Sequence, residues 1–239
     1  MTCAACGLLL CSPALAVVTT FDNGLEGWSI SGRTTILPTG GNPGANLGPL
    51  VTDVFGIDIR NNTNAAFLGN YSQFWQTNGG GPGAPLRLSI DTKTNSIDFF
   101  GSQVSRNLIV ELRDYTNPPP NYPYVSVWYN LGTIAASLPG WRTFSIDIVN
   151  PNSTTLPSGW GGTGDEDPQA NPRLPANRTF ASVLAGVDEI SFTTFQPGFF
   201  YGFTNFNVQV DNPTLTVVPS PATLAAPAIL LACARRRRR

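Results

Sequence analysis

The run Tyr124–Leu131 sets Tyr124, Ser126, Trp128 and Asn130 against the alternating partners Val125, Val127, Tyr129 and Leu131. If Leu108–Asp114 pairs with this run as a hairpin across Pro118-Pro119-Pro120, the first set lies beside Glu111 and Arg113. Aromatic rings next to Arg, Glu and Asn suit a sugar. Its apolar C–H face stacks on a ring, and its hydroxyls meet the polar groups. Trp75, near a Gly-rich stretch, is a second stacking candidate. The same pattern also fits Trp128 packed under the Thr116–Pro123 loop, because large aromatics are usually mostly buried. Trp28, Trp141 and Trp160 occupy turn or corner contexts, where packing is the expected role.

Catalytic chemistry has little to draw on. The 239 residues contain no histidine, which removes the Ser-His-Asp triad and nearly all zinc sites. The four cysteines are Cys3, Cys6, Cys11 and Cys233, all near the chain ends, so the body offers neither a disulfide scaffold nor a thiolate nucleophile. Asp91, Glu111 and Asp147 could supply a hydrolytic carboxylate pair, but their spacing singles out none of them. They read as solvated groups on the polar sides of strands. Gly79-Gly80-Gly81-Pro82-Gly83 ends in proline and leads into no lysine-bearing helix, unlike a phosphate loop. The expectation is a protein that is not an enzyme. Asp22 and Asp211 offer hard oxygen ligands near the two ends of the body. Asp165-Glu166-Asp167 lacks the 12-residue EF-hand pattern and reads as a solvated loop tip.

Strands must position these residues. Leu86, Leu88 and Ile90 alternate with Arg87, Ser89 and Asp91, and Leu108, Val110 and Leu112 with Ile109, Glu111 and Arg113. Phe144, Ile146 and Ile148 alternate with Thr143, Ser145 and Asp147, and Phe206, Val208 and Val210 with Asn207, Gln209 and Asp211. Side chains on a strand alternate sides, so each apolar set belongs to a shared core and each polar set to an outer face. Short alternating runs bounded by Gly, Pro and Asn predict an all-β fold, a two-sheet antiparallel β-sandwich of jelly-roll type with long loops. The expected loops are Pro38–Pro49, Asn78–Pro85, Thr116–Pro123 and Asn150–Pro175, and one short helix is expected at Phe180–Ala185.

The ends of the chain speak of export. Residues 1–16, MTCAACGLLLCSPALA, are an apolar run closing on Ala14-Leu15-Ala16, the small-x-small pattern of a signal-peptide cleavage site. No basic n-region precedes it, which points to a true start upstream of Met1. Residues 17–218 form the expected domain. Residues 219–239 carry Pro219-Ser220-Pro221, then an apolar run Ala222–Ala234, then Arg235, Arg236, Arg237, Arg238 and Arg239. The run is shorter than the roughly 20 residues of a spanning helix, yet arginines after it resist translocation. Without those five, 14 − 5 = 9 basic residues face 15 acidic ones, a net charge of 9 − 15 = −6. An acidic body argues against nucleic acid or an anionic membrane surface as partner. The tail resembles the C-terminal sorting signal of bacterial PEP-CTERM proteins, with Ser220 where that family's motif has glutamate. The resemblance implies a sorting protease of exosortase type cutting near the proline motif and a transient membrane association of the tail. It also implies a secreted or cell-surface product of an exopolysaccharide-producing bacterium.

The body carries a second resemblance. The ordered motifs are Phe21-Asp22-Asn23-Gly24-Leu25-Glu26-Gly27-Trp28, Gly41-Asn42-Pro43-Gly44, Ala66-Phe67-Leu68-Gly69-Asn70, Gly140-Trp141-Arg142, Pro157-Ser158-Gly159-Trp160, Val187-Asp188-Glu189-Ile190 and Val210-Asp211-Asn212. Together they resemble the laminin B (domain IV) module and, more loosely, galactose-binding-like jelly rolls. That resemblance implies a structural calcium clamping the terminal strands, with Asp22, Asp211 and carbonyls around Asn42 as ligands. The first expectation for function is an exported, C-terminally sorted surface or extracellular-matrix protein with a structural or adhesive role. The alternative is a carbohydrate-binding module that recognises an exopolysaccharide or other glycan through an aromatic-lined sheet face. A hydrolase with a carboxylate pair is the third reading.

Overall fold

The computed structural model describes residues 16–30, 34–52, 56–61, 85–199 and 202–218. Trp75, the leader through residue 15 and the 219–239 segment, including Pro219, Ser220, Pro221 and the five arginines, lie outside them.

The alternating runs form the strands that carry the fold. Leu86–Phe99 (β6) and Thr204–Val217 (β15) are the two longest, and they pair antiparallel with Phe206 opposite Ile97 and Leu215 opposite Leu88. Around this pair one sheet runs in the order β10-β6-β15-β4-β3. Its further members are Leu138–Ile148 (β10), Asn46–Thr52 (β4) and Ile36–Leu37 (β3). Ala16–Val18 (β1) pairs with β15, and Ser102–Gln103 (β7) with the end of β6. The second sheet runs β11-β9-β8-β14-β5-β2. It is built from Trp160–Thr163 (β11), Val125–Ile134 (β9), Arg106–Asp114 (β8), Glu189–Thr193 (β14), Asp58–Asn61 (β5) and Trp28–Ile30 (β2). Every pairing is antiparallel, and the chain passes repeatedly from one sheet to the other, as in a jelly-roll sandwich.

The inward sets meet between the sheets. Leu88, Ile90, Phe206, Val208 and Val210 from one sheet pack with Leu108, Val110, Leu112, Val127, Ile190 and Phe192 from the other, all nearly or fully buried. The predicted helix forms at Phe180–Ala185 (α1). Thr179 caps it, accepting from the Ser182 N–H while the Ser182 hydroxyl accepts from the Thr179 N–H. Phe180, Val183 and Leu184 close the core on that side. Among the described residues no helix is long and apolar enough to cross a membrane.

Three expectations change. The stretch Asn150–Pro175 is not all loop: it holds β11 and the small hairpin Asp165–Glu166 (β12) with Pro172–Arg173 (β13). Its Gly/Pro-rich composition hides the fact that Trp160 has a buried site to fill, 5.4 Å from the Tyr129 ring and 4.9 Å from the Phe180 ring. The stretch Pro38–Pro49 likewise contains the start of β4. The outer faces are also less solvated than the alternation implies, since Asp91, Glu111 and Arg113 are all buried. Loops folded back over the sheets cover them.

Candidate functional site

The hairpin expected across Pro118-Pro119-Pro120 forms. Strands β8 and β9 pair with Glu111 opposite Trp128 and Arg113 opposite Ser126, and β14 adds Glu189 opposite Arg113 and Ser191 opposite Glu111. One row of polar side chains therefore stands on the outer face of the six-stranded sheet. Arg113 lies at its centre. Its Nε and Nη2 donate to Glu111 Oε2 at 2.9 and 2.6 Å, and Nη1 donates to Glu189 Oε1 at 2.6 Å. The Ser126 hydroxyl donates to Glu111 Oε1 at 2.6 Å and lies 2.7 Å from the Thr163 hydroxyl on β11. The Tyr115 hydroxyl donates to Glu189 Oε1 at 3.1 Å. At the far side of this face, Ser191 donates to Asp58, which also pairs with Arg60.

Burial of two carboxylates with one guanidinium is costly unless each charge is paired and its remaining bonding capacity used. Here each carboxylate is bonded to the guanidinium, and three of its five N–H groups are used. Burial works to lower the Arg113 pKa, but Glu111, Tyr124 and Asp58 together outweigh it and hold the guanidinium above its ordinary range. The Tyr124 ring lies 4.9 Å from the guanidinium carbon, a cation–π contact, and 5.3 Å from the Tyr115 ring in an edge-on arrangement. Burial, and then the nearby Glu111 carboxylate, push the Tyr124 phenol up to about 12. Tyr115 rises to about 12 through burial and Glu189. Both phenols are neutral hydrogen-bonding groups at physiological pH.

A cleft of about 250 Å³ opens above this row, lined by Glu111, Arg113, Tyr122, Pro123, Tyr124, Thr163, Phe195, Gln196 and Pro197. Its walls are the β8–β9 loop and the segment that follows β14. Asn107 on β8 donates to the Gln196 side chain at 3.3 Å and ties the second wall to the sheet. Three of the expected sugar-binding residues, Tyr124, Arg113 and Glu111, thus meet in one cleft. Trp128 stands on the same face directly opposite Glu111, but it is not part of the lining. Its indole lies against Gly161 of β11, where any side chain would collide with the ring. The indole Nε1–H is buried without a hydrogen-bond partner among the described residues. Sequence reasoning left out Glu189, Tyr115, Thr163 and the 195–197 wall. Glu189, Ser191 and Thr193 alternate with Ile190 and Phe192, and that alternation is the signal that would have found Glu189. The wall residues carry no comparable pattern.

The expected calcium ligands also come together. Asp211 Oδ2 accepts from the Asn42 N–H at 2.6 Å, and Oδ1 accepts from the Asn212 N–H at 2.7 Å. Asp91 joins them: its Oδ2 accepts from the side chains of Asn42 at 3.1 Å and Asn212 at 3.0 Å, and its Oδ1 accepts from Thr143 at 2.5 Å. Asp22 Oδ1 accepts from the Ala45 N–H at 3.0 Å, and Gly44, at a φ of +90°, leaves room beside that carboxylate. Burial raises the Asp211 carboxyl to about 6 against the pull of the two amide donors, and the charges of Asp91 and Asp22 add to the rise. The Ala45 N–H, then Thr20, lowers Asp22. Much of this oxygen surface is already taken by N–H donors. Among the described residues, no three His, Cys, Asp or Glu side chains assemble as a metal site.

Of the acidic run read as a loop tip, Asp165 and Glu166 lie in β12, where Asp165 pairs with Arg173 at 2.8 Å. Asp167 accepts from the N–H groups of Gln169 and Asn171, each at 2.8 Å, and so closes the hairpin turn. That run is a structural turn.

No protein-family model and no curated protein matches the sequence. Solved structures with similar layouts include the CBM22-1–GH10 modules of Clostridium thermocellum xylanase 10B complexed with xylohexaose. That likeness has 12% identity and a TM-score of 0.42, over 84% of this chain and 28% of that one. The CBM22-1–CBM22-2 tandem domain of Paenibacillus barcinonensis Xyn10C gives 12% identity and a TM-score of 0.45, over 91% and 53%. Peanut lectin gives 11% identity and a TM-score of 0.36, over 87% and 99%. The chain spans about a quarter of the first of these structures and about half of the second. At such values the likeness carries no functional argument.

Proposed function

We propose that this domain binds carbohydrate in the cleft between the β8–β9 loop and the 195–197 wall, as part of an exported, C-terminally sorted surface protein. The observation that carries the reading is the convergence of Tyr124, Arg113 and Glu111, with Thr163 and Gln196, on one small concave site. Preformed clefts with a few fixed polar groups and aromatic walls are what ligand sites generally look like. The site's groups suit hydroxyls, with carboxylate, hydroxyl and amide oxygens beside neutral phenols.

The binding role is non-catalytic in this proposal. A two-carboxylate hydrolase splits the roles of acid and base across a scissile bond. Glu111 and Glu189 instead grip the same guanidinium. Export and sorting rest on residues 1–16 and on Pro219-Ser220-Pro221 with its apolar run and arginines, and an exosortase-type protease is the proposed processing partner. Calcium at the Asp22–Asp211 knot is also part of the proposal, favoured by the like charges of Asp22, Asp91 and Asp211. A cation there would rely on backbone oxygens beside the carboxylates.

The test is a glycan array on the purified full chain, repeated with Tyr124→Ala. Binding to a defined glycan that is lost in the variant, with the β-sheet circular dichroism retained, is the expected result. A blank array from folded protein would overturn the carbohydrate reading and return the structural or adhesive role to first place. Mass spectrometry of the exported product should show a chain that begins at Val17 and ends near Pro221.

A further inference from the structure

We propose that the cleft selects uncharged, hydroxyl-rich sugar residues and turns away uronates and sulfated sugars, an inference that rests on the carbohydrate-binding reading above. Anionic sugars are usually held by a free arginine fork or a lysine. Arg113 is the one cation lining the cleft among the described residues, and three of its five N–H groups, including its whole Nε–Nη2 edge, are taken. Nε and Nη2 are bound to Glu111, and Nη1 to Glu189. One face of the guanidinium is covered by the Tyr124 ring. A carboxylate or sulfate on the ligand would find at most two N–H groups uncommitted, on a buried side chain flanked by two carboxylates of the protein.

The surrounding field points the same way. Glu111 and Glu189 outnumber Arg113 at the floor of the cleft. Tyr122, on the wall, faces the Glu166 carboxylate of the β12–β13 hairpin, so the rim adds a further negative charge. Asp58, although paired with Arg60, adds negative charge that reaches Arg113 and Tyr124. A ligand oxyanion would enter a net negative, partly water-excluded space, where like-charge repulsion is poorly screened. Hydroxyl groups meet the opposite situation. Among the described residues Glu111 Oε1 accepts only from Ser126 and keeps acceptor capacity. The Tyr124 phenol can donate or accept, the Thr163 hydroxyl, whose proton goes to Ser126, can accept, and Gln196 offers both functions.

The experiment is calorimetric titration of the full chain with neutral hexaoses (xylo-, cello- and galacto-) and with uronate hexamers (galacturonate and guluronate). At about 0.05 M salt the best neutral hexaose should bind at least about tenfold more tightly than any uronate. The gap should shrink at about 0.5 M salt, where charges are screened over a few ångströms. Glu166→Gln, on an exposed strand of the small hairpin, should narrow it as well. A uronate that binds as tightly as the best neutral hexaose overturns this inference and leaves the carbohydrate reading standing. A gap indifferent to both salt and Glu166 also overturns it, because the selection would then not be electrostatic. No binding by any hexaose, with the chain folded, defeats the carbohydrate reading itself.

Discussion

The guanidinium of Arg113 is sandwiched between two carboxylates at its edges and the ring of Tyr124 on its face, 4.9 Å from the ring centroid. The residue that organises the cleft floor therefore offsets one of its two carboxylate charges. Replacing Arg113 by Met would leave Glu111 and Glu189 buried without their common partner. Loss of one member of a buried pair typically costs about 3–5 kcal/mol. Chemical denaturation of Arg113→Met should show a loss of that order, and the double variant Arg113→Met with Glu111→Gln should recover part of it.

Tyr124 lies just before β9 and lines the cleft, and the proposed carbohydrate binding makes it the stacking partner. Tyr124→Ala should weaken glycan binding by about tenfold or more, the typical worth of one aromatic stacking partner. Tyr124→Phe keeps the ring and should retain most of the affinity. Affinity electrophoresis in glycan-containing gels reads both variants on one plate.

Gly161 makes room for the Trp128 indole, so even a methyl group there must move the ring. Gly161→Ala should cost about 1–3 kcal/mol, the usual range for overpacking. It should also change the tryptophan emission spectrum through the displaced indole. Trp128→Ala separates the two roles considered for this residue. If the indole only covers the sheet, stability falls and glycan affinity holds; if it also serves ligand, affinity falls further than Gly161→Ala lowers it.

Asp211 gives a pH signature. Its carboxyl is raised to about 6 by burial and by neighbouring carboxylates, from a reference of 3.8. A raised carboxyl binds its proton more tightly in the folded state. Its contribution is therefore fully present below about pH 4 and is lost as pH rises through about 6. The rise corresponds to about 3 kcal/mol at most. Urea midpoints across this window should fall with rising pH for the wild type relative to Asp211→Asn, whose slope lacks this component. Calcium, if it binds there, should offset the fall, and a chelator should restore it.

The sandwich was legible because the strands that build it alternate cleanly, and Leu86–Asp91, Leu108–Arg113, Thr143–Ile148 and Phe206–Asp211 all lie in strands with the expected side inward. The helix Phe180–Ala185 appears with the expected bounds because Thr179 and Ser182 form a local capping box. The site was half legible. Glu111, Arg113 and Tyr124 follow from one hairpin whose register is local to the sequence. Glu189 comes from a strand 76 residues away from Arg113, and only tertiary pairing brings it there. Asp91 enters the terminal knot in the same way, 121 residues from its partner Asn212. Composition misled at Trp160, where a Gly-rich neighbourhood suggested a loop although the indole has a core site to fill.

The pairing of β1 with β15 has a mechanical meaning. Ala16 faces Thr216, Val17 faces Leu215 and Val18 faces Thr214, so both ends of the domain depart from the same corner. Tension drawn between those ends would open this pair one residue at a time, like a zipper, rather than shear it along its length. β15 would stay put, because it is clasped between β6 and β4. Under load the β1 residues that the processed chain keeps, Val17 and Val18, would let go at low force, while the row around Arg113, on the other sheet, would keep its shape.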